Sequence, residues 1–186
     1  MMDRRVERLF DDFESRDRDK AYQALCGLFE MTTKQVDWAY EVWDRLVGDL
    51  KHRDGHMRAF AAQMLARLAI SDPDGRMLRD FPKVAAVMKD DKTVTARHTL
   101  QSLWRIGLAG ARHSALVVKA LEKRFKECAA ERIGALVRTD VITALGKLAK
   151  ATGDSSIEAR VTALIESESD EASRRKQAAA WRKAMK

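Results

Sequence analysis

The sequence predicts an all-α solenoid of five stacked helix hairpins, and three observations carry that expectation. Among 186 residues there are 2 Pro and 9 Gly, against abundant Ala, Leu, Arg, Lys and Glu, a mix that favours helix over strand. One Arg-anchored pattern recurs in five copies, with its arginines at 18, 58, 97, 138 and 174, steps of 40, 39, 41 and 36. Turn signals separate the helical stretches: Asp54-Gly55, Asp72-Pro73-Asp74-Gly75, Asp90-Asp91 and Gly153-Asp154-Ser155-Ser156.

Each copy places a small or apolar residue just before the Arg and apolar residues three, six, seven and ten positions after it. These offsets share one stripe of a 3.6-residue helix, so each copy is an amphipathic helix with one buried face. The first copy is Arg18, Ala21, Ala24-Leu25 and Leu28, preceded by Asp17. The second is Met57-Arg58, Ala61, Met64-Leu65 and Leu68; the third is Ala96-Arg97, Leu100, Leu103-Trp104 and Gly107. The fourth is Val137-Arg138, Val141, Ala144-Leu145 and Leu148. The last, Ser173-Arg174, Gln177, Ala180-Trp181 and Ala184, is polar at two slots, as an outward-facing end of an array requires.

A second periodic segment precedes each copy. Leu9, Phe10 and Phe13 begin the first; Val36, Tyr40, Trp43, Val47 and Leu50 form the next. Val84, Val87 and Met88 mark the third, Ala115, Val118, Leu121 and Phe125 the fourth, and Val161, Leu164 and Ile165 the fifth. Trp38 lies off its stripe and is expected in the core. The expected units are 1–32, 33–72, 73–110, 111–153 and 154–186, within a single domain 1–186 without linker or second domain.

Two helices per unit and a period near 40 resemble the HEAT-repeat class of armadillo-like arrays, and the resemblance covers the chain. It implies a right-handed α-α superhelix whose second helices line the concave face. It also implies an acidic residue a few places before each Arg, linking neighbouring units. Asp12, Asp91 and Glu168 stand six residues before Arg18, Arg97 and Arg174, but His52 and Arg132 hold the other two places. The expected ladder is therefore interrupted. Pro82 matches the proline that such first helices often carry.

Charge points to a surface. Lys+Arg number 35 and Asp+Glu 28, a net charge of +7, which permits attraction to nucleic acid or acidic proteins without demanding it. Eight and nine places after the repeat Arg stand Arg67, Arg105, Lys147 and the pair Arg182-Lys183, a basic stripe along the presumed groove. Arg175 and Lys176 extend it, and Lys20, His98, Thr139 and Asp140 are further groove candidates. The plainer reading is an ordinary solvated face, and for Arg182, Lys183 and Lys186 a complement to the helix dipole. Trp181 shares the slot of Trp104 and Leu145, which favours packing over stacking on a ligand.

Signals for catalysis, metals and membranes are weak. His52 and His56 have ligand spacing, but the intervening Asp54-Gly55 turn breaks the geometry and no third ligand is evident. Asp140 is a lone carboxylate without a partner for acid–base work, expected on a helix surface. Glycine-rich phosphate loops, nucleophile elbows and Cys-x-x-Cys are lacking, so no cofactor is expected. Cys26 and Cys128 are expected to be reduced, buried thiols. The stretch Met1–Arg8 lacks the apolar core of a signal peptide, and no apolar run approaches the roughly 20 residues of a membrane span. The cytoplasm is the expected location.

The leading expectation is a non-catalytic scaffold that binds a protein or peptide partner in its concave groove. The alternative is DNA binding, since the architecture and charge resemble those of HEAT-like DNA alkylation repair proteins, whose glycosylase activity is the main enzymatic alternative. Their catalytic residues find no counterparts here. A third reading is an accessory subunit or chaperone of a cofactor-bearing protein, as some HEAT proteins are.

Overall fold

A computed structural model describes residues 3–186, so Met1 and Met2, where the signal-peptide reading begins, lie outside the described residues. Among the described residues ten α-helices form: α1 Arg4–Phe13, α2 Arg18–Met31, α3 Ala39–Asp49, α4 Gly55–Leu68, α5 Arg76–Ala86, α6 Thr93–Ser102, α7 Ala111–Glu127, α8 Gly134–Thr152, α9 Ser156–Glu166 and α10 Glu171–Met185. Among the described residues there is no strand, and the fold is all-α. None of these helices is long and apolar enough to cross a membrane.

Consecutive helices pack as pairs, α1 on α2 through α9 on α10. The second helices then stack in chain order, α4 on α6, α6 on α8 and α8 on α10. The first pair docks differently, through phenylalanines of α1. Phe13 stacks on Phe60 with centroids 3.8 Å apart, and Phe10 meets Phe60 and Trp38 edge-on at 6.0 and 6.2 Å. Aromatic contacts of this kind add to area burial, so α1 is anchored on α4 even though α2 buries only Ala24 and Leu28.

Local chemistry sets the helix ends. The carboxylates of Asp3, Asp17, Asp54 and Asp170 accept from backbone N–H groups of the first turns of α1, α2, α4 and α10. Gly75 and Gly153 sit at φ 68° and 69°, a left-handed backbone that favours glycine. Asp72 accepts from the amides of Arg76 and Met77 and from the Tyr40 hydroxyl, tying the second unit to the start of α5. Pro82 lies inside α5, one turn beyond any free N–H position.

Several expectations need correction. On α3 the buried face is Ala39, Val42, Trp43 and Leu46, whereas Val36, Tyr40 and Val47 are only half-buried. This helix packs on two sides, so a single stripe misjudges its phase. Cys128 is buried but Cys26 is exposed, because α2 turns that flank to solvent. Gln177, expected on an outer polar face, is wholly buried and donates to Glu168 at 2.9 Å. The third copy is not one α-helix: after Ser102 it tightens into a 3-10 run, Leu103–Ala109. There Thr99 and Ser102 bond back to the carbonyls of Thr95 and Thr99, and Gly107 lets Leu148 approach closely. With three residues per turn the stripe drifts, which leaves Trp104 half-exposed where Leu65 and Leu145 are buried.

Candidate anion-binding face

The second helices differ from the first in charge. Within α4 and α6 there is no Asp or Glu, and α8 has only Asp140. The first helices carry acids throughout, among them Glu41 and Asp44 on α3, Asp80 on α5 and Glu122 and Glu127 on α7. Apart from Lys150, the arginines and lysines of α4, of α6 with its 3-10 continuation, and of α8 fall into two rows, and the two rows have different fates.

The first row is the repeat Arg itself, and it is neutralised. Arg58 grips Asp90 of the next unit through Nε and Nη2 at 2.6 and 2.7 Å, with Asp91 at 3.1 Å. Arg97 grips Asp140 through Nε and Nη2 at 2.6 and 3.1 Å, and Gln101 donates to the same carboxylate at 2.9 Å. Arg138 pairs with Glu168 at 2.8 Å. The ladder is therefore unbroken from the second unit to the fifth, contrary to the interruption expected at His52 and Arg132. Each Arg reaches forward, and Asp140 supplies the carboxylate that Arg132 cannot. Asp140 is thus neither a groove residue nor a surface one; it is 6% exposed and pins α6 to α8. Arg18 and Arg174 are exposed and join no ion pair among the described residues. Asp12 instead pairs with Lys20 at 2.8 Å, which takes Lys20 out of the candidate set.

The second row is not neutralised. Arg67, Arg105 and Lys147, from three successive units, meet around a pocket of about 200 Å³ completed by Gln63, His98, Gln101, Ser102 and Trp104. The Arg67 guanidinium lies 3.9 Å from the Phe29 ring centroid and donates to the Phe29 carbonyl at 2.9 Å. Arg105 covers Trp104 at 4.8 Å. Among the described residues none of the three cations pairs with a carboxylate. Burial, with the adjacent charge of Arg105, pushes the Arg67 guanidinium down to about 10, and burial also lowers Arg105. Gathering half-buried like charges without a counter-ion is unfavourable, which is the condition an anionic ligand relieves.

A structural role covers only part of this. Arg67 sits in the last turn of α4, where a cation complements the helix dipole, and its carbonyl bond ties α4 to α2. Lys147 lies more than a turn before the end of α8, and Arg105 lies in the 3-10 run. Neither has that excuse.

The remaining candidates stay apart from the pocket. Arg175, Lys176, Arg182 and Lys183 are exposed along α10, and Arg175 pairs with Glu171 at 3.1 Å. Thr139 turns its hydroxyl to the Ala135 carbonyl. Trp181 is half-buried beside Gly146. The two histidines with ligand spacing are otherwise engaged: His52 Nδ1 accepts from the Asp54 amide and His56 stacks on Phe13. Among the described residues no group of three metal-ligating side chains converges. Gln63, Gln101, Ser102 and Trp104 went unrecognised in the sequence; the two glutamines stand five and four places after their repeat Arg, one turn before the basic row. A larger cavity of about 830 Å³ opens between α7 and α9, where Arg160 is tied to Glu122 at 3.0 Å.

No protein-family model matches the chain, and no curated protein matches its sequence.

Proposed function

We propose that this chain is a non-catalytic binding module of HEAT-like helix hairpins whose second-helix face takes the backbone of a nucleic acid. One observation carries the reading: among the described residues α4, α6 and α8 offer no free carboxylate, while Arg67 of α4, Arg105 of the 3-10 run after α6 and Lys147 of α8 pair with none. A protein or peptide groove, the first expectation from sequence, would be better served by mixed charge and exposed apolar anchors. On this face the half-exposed Trp104 is covered by Arg105. Asp140 is committed to Arg97 and Gln101, so it is not free to act as a base, and a glycosylase-like reaction gains no support.

On this reading the exposed Lys176, Arg182 and Lys183 of α10 join the three pocket cations on a long polyanion, about six contacts, for an expected salt slope of roughly −5 in log K against log salt. The test is duplex DNA affinity as a function of salt, for the parent and for the double reversal Arg105→Glu and Lys147→Glu. Reversal is expected to flatten the slope by about 2 and to weaken binding while the melting temperature holds. Failure of the parent to bind at low salt, or an unchanged slope in the reversed protein, overturns the reading.

A further inference from the structure

We infer that the pocket between α4, α6 and α8 receives a terminal phosphomonoester of a nucleic acid, Arg67, Arg105 and Lys147 together taking its three non-bridging oxygens. The inference rests on the proposed nucleic-acid reading for the source of the phosphate, and on the pocket itself for the chemistry.

Charge is the first argument. The pocket brings three cations together with no free carboxylate among its lining residues. A phosphodiester within a strand offers one negative charge, whereas a monoester carries about −1.5 to −2 at neutral pH. The second argument is the number of acceptors. An internal diester has two non-bridging oxygens and carries sugar on both sides; a chain end has three and a single substituent. A space of about 200 Å³ admits a phosphate and part of its sugar but not a duplex.

The third argument is the kind of donor the pocket offers. Its neutral donors are partly engaged: one N–H of Gln63 Nε2 with the Ala59 carbonyl at 3.1 Å, one of Gln101 Nε2 with Asp140, and the Ser102 hydroxyl with the Thr99 carbonyl at 2.8 Å. The groups left to meet a ligand are the three cations, His98, the Trp104 indole N–H and the second N–H of each glutamine. Charged donors lead that set, so the site reads charge and oxygen geometry before base edges. The guanidinium planes are also set in advance, Arg67 by Phe29 and Arg105 by Trp104, which lowers the ordering cost of binding.

The experiment compares one short duplex bearing 5′-hydroxyl, 5′-phosphate or 3′-phosphate ends, by fluorescence anisotropy at fixed salt. Unlabelled 5′-phosphorylated oligonucleotide and a phosphoserine peptide serve as competitors. A phosphorylated end is expected to bind about tenfold tighter than the hydroxyl end, the scale of one charge-assisted contact. Arg105→Met, which keeps an aliphatic cover over Trp104, is expected to bring that ratio close to one. Lys147→Gln, at an exposed position that the fold does not depend on, is expected to reduce it as well. Tight but equal binding of all three duplexes overturns the monoester pocket and leaves the nucleic-acid reading standing. Stronger competition by the phosphoserine peptide than by the oligonucleotide overturns the nucleic-acid end as the source. Absence of any duplex binding overturns both.

Discussion

Replacing Asp140 by leucine tests whether the Arg ladder holds successive units together. The Asp140 carboxylate accepts from Arg97 Nε at 2.6 Å, Arg97 Nη2 at 3.1 Å and Gln101 Nε2 at 2.9 Å, and its side chain is 9% exposed. Removing one partner of a buried pair costs about 3–5 kcal/mol because the other charge is stranded. Here the Arg97 side chain is 34% exposed, so water takes up part of the guanidinium. The expected loss is then about 2–3 kcal/mol. In a chain of this length that lowers the melting temperature by about 4–12 °C. Urea titration of the single variants and of Arg97→Met with Asp140→Leu completes the cycle. The double variant is expected to recover part of the loss, with a coupling energy above about 1 kcal/mol. An Asp140→Leu change within about 0.5 kcal/mol of the parent, as for a surface residue, refutes the reasoning. So does a double variant whose losses merely add.

Acid should unfold the protein through the same class of pairs. Asp90 is held down to about 2, chiefly by hydrogen bonds from Arg58. Asp80 is held down to about 2 as well: burial pushes it up, but hydrogen bonds from Lys83, Arg79 and Trp43 outweigh burial. Since both are depressed below the ordinary 3.8, the unfolded chain takes up protons first as pH falls. Their stabilisation, on the order of 1–2 kcal/mol each, is complete above about pH 5 and is lost as pH falls through 4 towards 2. Stability measured by urea titration across this window should fall, with a shallower slope in Asp90→Asn; a flat profile contradicts the assignment. Two glycines should respond oppositely to alanine. A Cβ at Gly134 would collide with the Cys128 carbonyl oxygen, so Gly134→Ala should cost about 1–3 kcal/mol, whereas Gly48→Ala in α3 meets nothing within 4 Å and should gain about 0.5–1 kcal/mol. Thermal melts that rank the two the other way would show that the turn at Gly134 has room to relax.

The helices were legible because the apolar stripes are long and repeated: Ala61, Met64, Leu65 and Leu68 of one copy and Val141, Ala144, Leu145 and Leu148 of another are all buried, as their spacing requires. Three of the seven stripe residues, Arg67, Arg105 and Lys147, were legible as neighbours because repeats convert equal offsets into adjacency. What escaped was decided by partners rather than by period. The forward reach of Arg97 to Asp140 spans 43 residues, and no local pattern announces it. The burial of Gln177 depends on Glu168, which in turn answers Arg138. The 3-10 run beginning at Leu103 depends on the fit of Gly107 against Leu148 of the next unit.

The ladder and the pocket draw on the same helices, and this links stability to the proposed binding. The ladder consumes the one carboxylate that α8 possesses, since Asp140 is bound by Arg97 and Gln101. The same pair fixes α8 against α6, the helices that bring Lys147 and Arg105 to one pocket, while Arg58 with Asp90 fixes α4, which brings Arg67. Units two to four thus spend the early cation of the second helix, Arg58, Arg97 and Arg138, on the next unit, and leave the later Arg67, Arg105 and Lys147 without a carboxylate among the described residues. Were the acids distributed at random, some would fall beside the later row and quench it by ordinary helix pairing at three or four residues. None does: α4 and α6 have no carboxylate, and the one in α8 lies seven residues before Lys147, two turns away and already bound. Charge on this face is therefore divided by position within units two to four, one row pairing with the next unit and the other left without a carboxylate among the described residues.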